Sequence, residues 1–277
     1  MLLRRGDTGD EVKTLQRGLN RLGSMLLVDG GFGSETAAAV IDTRTALNNP
    51  GPPEADDDLQ AAIAQVPELA PPLTAPGVTF IARAEVASPS AYRQKYQTPS
   101  WPSAQSGITI GIGYDCQFHT QEELQADWGD VLPAATLDQL LPVLGVAGSA
   151  DSLAQVKGVT IPLQAAMAVF ARTLLDYLGR ARTIYPQIDL LSAPCQTALV
   201  SLVYNRGTRL TDNNTHLQDR LEMRTIRDLL VSGQVDGVPD QFDAMARLWT
   251  NTSPGLVKRR HEEANLWRSG FAALQLN

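Results

Sequence analysis

Two cysteines, three histidines and 6% aromatic side chains in 277 residues leave little material for several kinds of chemistry. Cys116 and Cys195 are too few for a disulfide scaffold and stand in no paired metal-ligand spacing, so both are expected as thiols. His119, His216 and His261 are scattered, with no HExxH and no close His/Asp cluster, and are expected as surface or capping residues. No metal and no cofactor is expected. Basic charge is also short: 23 Lys and Arg face 30 Asp and Glu, a net charge of −7. That balance argues against nucleic acid as the main partner, because phosphate binding needs clustered cations. No run approaches the roughly eighteen consecutive apolar residues that a membrane-spanning helix needs. The start, Met1-Leu2-Leu3-Arg4-Arg5-Gly6-Asp7, turns polar after three residues and lacks the long apolar segment of a secretory signal. A protein of this kind acting outside the cytoplasm is expected to be released or delivered by another protein.

What the chain does have is apolar content, 43%, enough for one substantial core and a smaller module. The clearest break is Val66 to Pro76, with prolines at 67, 71, 72 and 76. Such a stretch cannot continue a helix and tends to stay extended. The expected division is therefore a module over 1–65, a proline-rich linker over 66–76 and a larger domain over 77–277. Residues 1–76 hold six Lys and Arg against eleven Asp and Glu, so the acidity lies mostly in the smaller part.

In the small module, Val12, Leu15, Leu19 and Leu22 recur at helical spacing and the pattern closes on Gly23. A glycine-rich turn, Val28-Asp29-Gly30-Gly31-Phe32-Gly33-Ser34-Glu35-Thr36, leads into a second short helix from Ala37 to Ala46. A module this small offers too little surface for elaborate catalysis, so binding is the expectation. The paired segments LRRGDTGDEVKTLQRGLNRLG and VDGGFGSETAAAV, over about residues 1–48, resemble the peptidoglycan-binding module of bacterial and phage cell-wall hydrolases. The resemblance implies a small three-helix-type module with Asp29, Gly30, Phe32, Gly33 and Thr36 as its wall-binding turn. Ile41-Asp42-Thr43 stands where such modules usually carry an aromatic, and a stabilising cap that binds nothing is the alternative.

The larger domain reads as helical with one polar, turn-rich interruption. Helices are expected after Gly77 and before Pro89, from Thr160 to Arg182, from Pro194 to Tyr204 closing on Asn205-Arg206-Gly207, and over Arg224 to Leu230 and Gln241 to Trp249. A last helix starts at Ser253-Pro254 and runs to about Trp267. Only Gly107 to Tyr114, GITIGIGY, reads as strand. The class is mainly α, helices around a small β hairpin.

Cleaving a glycosidic bond needs a carboxyl that stays protonated near neutral pH, which apolar surroundings can supply. Glu85, flanked by Ala84, Val86 and Ala87, fits. A second group must hold water on the opposite face of the sugar. Val86 to Ile108 contains no acidic residue, so Asp115 is the first carboxylate that follows. Thr109 and Asp115 are an even number of residues apart, on one side of a pleat, yet a straight strand would part them by about 20 Å. Gly111 and Gly113 must bend the segment if both are to act together. The plain alternatives are Asp115 as a turn residue and Thr109 as a β-former.

Thr-Ile-Gly-Ile-Gly, about two dozen residues beyond a Glu in an apolar helix, resembles the active-site hairpin of phage-type lysozymes. Gln196 to Gly207 resembles that family's buried helix, and GLVKRRHEEA over 255–264 its C-terminal GLxxRRxxE pattern. The usual order places an Asp between the Glu and the Thr. Glu85, Thr109 and Asp115 instead follow the order of a pesticin-like branch, and Tyr114 stands where a histidine often follows the last glycine. The resemblance implies an α+β lysozyme-like fold and a muramidase cutting the bond between N-acetylmuramic acid and N-acetylglucosamine. Glu85 would be the acid, with Thr109 and Asp115 activating a water. Tyr114, Asn205 and Arg206, with the backbone at Gly111 and Gly113, are the candidate substrate contacts. Asn205 and Arg206 equally suit a helix-capping role. The expected partner is bacterial peptidoglycan, met by a monomer. A phage endolysin is the first setting, an injected antibacterial effector the second. A lytic transglycosylase and a non-catalytic wall-binding protein are the remaining alternatives.

Overall fold

The computed structural model describes residues 1–69, 73–103, 105–212 and 218–275, with side chains to 271. The described residues are mainly helical, with one two-stranded hairpin. They form two compact units, Met1–Leu69 with Val78–Arg172, and Ala70–Gly77 with Thr173–Asn277. These units do not coincide with the segments 1–65, 66–76 and 77–277, because the N-terminal helices pack with the residues that follow the proline-rich stretch.

In the first unit, Asp10–Arg21 (α1), Ser34–Ala46 (α2) and Asp57–Ala64 (α3) come first. Val12, Leu15 and Leu19 of α1 are buried with Phe32, Ala39, Val40, Leu59 and Ile63. Each fully buried side chain of this size contributes roughly 1.5–3 kcal/mol. A Cβ at Gly18 would come 2.4 Å from Ile63 Cγ2, so the glycine is what lets α3 approach α1. Asp56 caps α3 by accepting from the Leu59 N–H, and buried Arg44 donates to Asp56 at 2.6 Å and to the Glu54 carbonyl at 2.9 Å. Arg44 thereby fixes the loop between α2 and α3.

Ala75–Val86 (α4) begins earlier than the sequence suggests, because Pro76 sits in its first turn, where its missing N–H costs nothing. Ala87 leaves the helix at φ 65°, and Ser88 then caps Pro89–Lys95 (α5) by accepting from the Ala91 N–H. Thr109–Ile110 (β1) and Tyr114–Asp115 (β2) form the hairpin. The segment expected to be polar and irregular contains three further helices, Gln121–Trp128 (α6), Ala134–Leu140 (α7) and Ala150–Val156 (α8). Helix α6 carries a capping box between Thr120 and Glu123 that satisfies two end N–H groups reciprocally.

Several polar contacts hold the N-terminal helices onto the rest of this unit. Arg93 donates to Asp42 at 2.6 Å, Ser90 Oγ to Glu35 at 2.9 Å, and Arg83 to the Met25 carbonyl at 3.0 Å. Leu163–Ile184 (α9) contributes its first turns to this unit, where Gln164 donates to the Thr43 hydroxyl at 3.3 Å.

The second unit contains the rest of α9 with Ala193–Arg206 (α10), Leu221–Ser232 (α11), Val238–Met245 (α12) and Pro254–Gln275 (α13). Helix α10 ends on Gly207 at φ 69°, as its sequence suggests. Ala198, Leu199, Leu202 and Val203 are fully buried, as is Trp267 of α13. The RRxxE segment folds inward: Glu263 accepts from Ser201 Oγ at 2.5 Å, Arg260 at 2.8 Å and Arg259 at 3.3 Å. Both cysteines are free and buried. Burial pushes the Cys116 thiol up to about 12, so it is inert as a nucleophile.

Candidate functional site

The hairpin is built from its turn outward. Gly111 and Gly113 adopt φ of 59° and 79°, conformations that a β-branched residue resists, and Ile112 lies between them, buried. The turn reverses the chain so that Thr109 pairs with Asp115 and Ile110 with Tyr114. Thr109 and Asp115, six apart in sequence, are therefore direct cross-strand neighbours with side chains on one face. Ser100 bridges to Thr109 on its other edge through bonds of 2.9 and 2.8 Å, adding a third backbone segment.

The two side chains are differently occupied. Among the described residues the Thr109 hydroxyl makes no hydrogen bond. The Asp115 carboxylate accepts from the buried Gly107 N–H through both oxygens, at 3.0 and 3.1 Å, and from the Gln117 N–H through Oδ1 at 3.0 Å. It thus caps the short 3-10 turn Cys116–Phe118, and the turn-residue reading of Asp115 holds structurally. Each ionised carboxylate oxygen accepts two bonds, so Oδ2 keeps room for one more donor.

Glu85 stands in the last turn of α4 and is half-buried rather than enclosed, unlike the buried acid expected from its apolar sequence neighbours. In a helix that leaves Val86 and Ile81 inside, the residue beside Val86 falls on the boundary of the buried face.

Tyr114 is 7% exposed, stacked on His119 with centroids 3.9 Å apart and edge-on to Trp128 at 5.5 Å. Its hydroxyl donates to Asp127 at 3.0 Å, and burial pushes its ionisation far above the usual range. Tyr114 therefore braces the hairpin instead of presenting a surface for substrate. Trp128 lies against the turn, since a Cβ at Gly111 would come 2.8 Å from its ring. Neither Asp127 nor Trp128 was expected from the sequence; the polar, acidic segment that holds them masks a helix.

Asn205 and Arg206 close α10, in the second unit. Arg206 lies over the Trp249 ring at 4.8 Å and donates to the Asp219 carbonyl, and burial lowers its pKa to about 10. Its guanidinium is committed to its own fold. The Asn205 Oδ1 is enclosed and without a partner among the described residues. His261 meets Asp243 at 2.6 Å, whereas His216 lies outside the described residues.

At the N-terminal turn, Asp29 accepts from Gln16 at 2.8 Å and from the Gly31 N–H at 2.9 Å. Gln16 returns the bond by accepting from the Gly30 N–H at 2.9 Å, and it reaches Thr36 at 3.3 Å. Phe32 and Thr36 are 2% and 3% exposed, so they stabilise the turn from inside, while Gly33 ends it at the start of α2. The lock is Gln16, buried in α1. Its signal in the sequence is a glutamine between the core positions Leu15 and Leu19, where an apolar helix face alone would not ask for one.

Residues 8–43, which contain α1, this turn and most of α2, match the family model described as a putative peptidoglycan binding domain. The match supports a peptidoglycan-binding module at the N-terminus, with peptidoglycan as its partner and an association with the cell wall. The matched stretch begins before Gly9, whose N–H donates to the Gly30 carbonyl, and so covers both sides of the module's locked turn. No curated protein matches the chain. No group of three or more His, Cys, Asp and Glu among the described residues is arranged to hold a metal ion, and no described helix is long and apolar enough to cross a membrane.

Proposed function

We propose that the chain is a modular muramidase, in which a wall-binding module accompanies a catalytic segment that hydrolyses the β-1,4 bond between N-acetylmuramic acid and N-acetylglucosamine. The observation that carries this reading is the pairing of Thr109 with Asp115 across the Gly111–Gly113 turn, in the same compact unit as a peptidoglycan-binding module. In the proposed reaction Glu85 protonates the leaving oxygen as the glycosidic bond breaks. The Thr109 hydroxyl and Asp115 Oδ2 hold a water on the opposite face, and Asp115 receives its proton as it attacks the anomeric carbon. One carboxyl gives a proton and the other takes one, so the product anomer is inverted. The backbone N–H groups on Asp115 support this by fixing the carboxylate in place. A phage endolysin is the setting that suits this activity.

The experiment is clearing of purified sacculi by wild type and by Glu85→Gln, with mass spectrometry and anomer analysis of the soluble products. Free reducing ends of inverted configuration, lost in Glu85→Gln, are expected. Ends carrying 1,6-anhydromuramic acid would make the chain a lytic transglycosylase. Binding without clearing by the wild type would leave it a wall-binding protein only.

A further inference from the structure

In the first unit a cavity of about 540 Å³ opens beside the end of α2. Its size falls within the range of roughly 300–1,000 Å³ that holds small ligands. Its lining includes Asp42 and Thr45 of α2, Arg93 of α5, Gln97, Asp130 and Gln164. Asp42 lies in the stretch that matches the peptidoglycan-binding family, so the module supplies part of the wall and the hairpin-bearing segment the rest.

The chemistry of the lining identifies a class of ligand. Arg93 and Asp42 are paired at 2.6 Å through one Nη and one carboxylate oxygen, so each retains hydrogen-bonding capacity. Asp130 adds a second carboxylate, whose two oxygens both accept from Arg172, each keeping capacity for one more donor. The Gln97 side-chain amide makes no hydrogen bond among the described residues, and can both donate and accept. Leu22 and Val131 give the cavity an apolar surface. No aromatic ring lines it, and a neutral sugar is commonly held by stacking on one. A guanidinium, two carboxylates and an amide around small apolar side chains suit a ligand with carboxylate, ammonium and methyl groups a few ångströms apart. A short peptide has these. In a protein directed at peptidoglycan, that peptide is the stem attached to the muramic acid.

We infer that this cavity is a subsite for the peptide stem of peptidoglycan, shared between the wall-binding module and the segment that bears the hairpin. Arg93 takes a stem carboxylate, Asp42 and Asp130 take the ammonium of its diamino acid, and Gln97 takes a peptide group. The inference rests on the wall-directed part of the reading above and is independent of glycoside cleavage.

The test is calorimetric titration of the full-length Glu85→Gln protein with three probes. They are a disaccharide-tetrapeptide, the free tetrapeptide and the disaccharide alone, with the peptide made both with meso-diaminopimelic acid and with lysine at its third position. One or both peptides are expected to bind about tenfold more tightly than the disaccharide. Gln97→Leu breaks no side-chain hydrogen bond among the described residues, and Ala46→Trp fills the exposed mouth of the cavity. Each, with an unchanged melting temperature, is expected to weaken peptide binding by about tenfold and leave binding of the disaccharide unchanged. If neither peptide binds, or if both variants bind peptide as the parent does, the subsite does not exist. Failure of the muramidase reading is separately visible: the wild type would release no reducing ends while peptide binding persisted.

Discussion

Both oxygens of Asp115 lie within 3.1 Å of the Gly107 nitrogen, eight residues back, while its cross-strand partner Thr109 keeps its hydroxyl uncommitted among the described residues. Asp115 thus braces the hairpin, and in the proposed reaction it also faces a water. Asp115→Ala deprives the Gly107 and Gln117 N–H groups of their acceptor, at a cost of about 1–3 kcal/mol. Asp115→Asn retains one acceptor oxygen and is expected to lose ~1 kcal/mol or less. Clearing of sacculi should nevertheless fall by a factor of about 100 or more in Asp115→Asn, the usual size of a lost general base. Lysis at the wild-type rate by a folded Asp115→Asn protein would reduce Asp115 to its bracing role.

Gly111 is held in a left-handed conformation with its missing side chain aimed at Trp128. Gly111→Ala adds a backbone penalty of roughly 1–2 kcal/mol and a contact of 2.8 Å with a ring that is itself fully buried. Overpacking of this kind costs about a further 1–3 kcal/mol. The melting temperature should fall by on the order of 10 °C. Gly33→Ala, at an extended φ of −87° with nothing within 4 Å, is the control and should change it little.

Tyr114→Phe keeps the stack on His119 and deletes only the bond to Asp127. The expected loss is ~1 kcal/mol of stability with sugar binding unaltered, because the ring is buried and braces the hairpin from behind. A large fall in substrate affinity without a change in melting would return Tyr114 to the substrate surface.

These relationships differ in how far the sequence exposes them. Helix ends marked by punctuation are legible: Gly207 takes the positive φ that ends α10, and Pro254 opens α13. The hairpin is legible too, since only a turn at Gly111 and Gly113 could bring Thr109 to Asp115. Helix α6 is hidden by its polar, acidic composition, although Thr120 and Glu123 spell a capping box at its start, and α7 and α8 are hidden by their shortness, seven residues each. Half-burial of Glu85 and full burial of Tyr114 depend on what packs over them, which local apolar spacing does not encode. Least legible is the joining of the N-terminal helices to the hairpin-bearing segment. It rests on pairs such as Arg93 with Asp42 and Gln164 with Thr43, which lie 51 and 121 residues apart. A proline-rich stretch between two patterns suggests separation; long-range ion pairs and hydrogen bonds override it.

In the second unit Glu263 is fully buried among Ser201, Arg259 and Arg260. Burial pushes its carboxyl up, against the opposing pull of the two guanidinium groups. Removing one member of such a cluster strands the others, which costs about 3–5 kcal/mol. Glu263→Leu should therefore melt on the order of 10 °C below wild type. The conservative Glu263→Gln, which can still accept from Ser201, should lose less. Equal stability of Glu263→Leu and wild type would mean that the cluster contributes nothing net.

The N-terminal turn locked by Gln16 and Asp29 should be sensitive to acid. The Gln16 amide, and after it the Gly31 N–H, hold the Asp29 carboxyl below its ordinary value of 3.8. A carboxyl depressed in the folded state contributes stability that is fully present above its unfolded value and is lost as pH falls through the folded one. Asp56 acts in the same direction, held down by the Leu59 N–H and then by Arg44. The contribution of these two carboxyls to the melting temperature should accordingly be flat above about pH 4 and decline below it. Asp29→Asn can still accept from Gln16 but cannot titrate, so it should start lower at neutral pH and decline less steeply between about pH 4 and 3. Thermal melts of both proteins across that interval decide the matter. Parallel curves would show that acid acts on the fold through other carboxylates and that the Asp29–Gln16 lock carries no proton-linked stability.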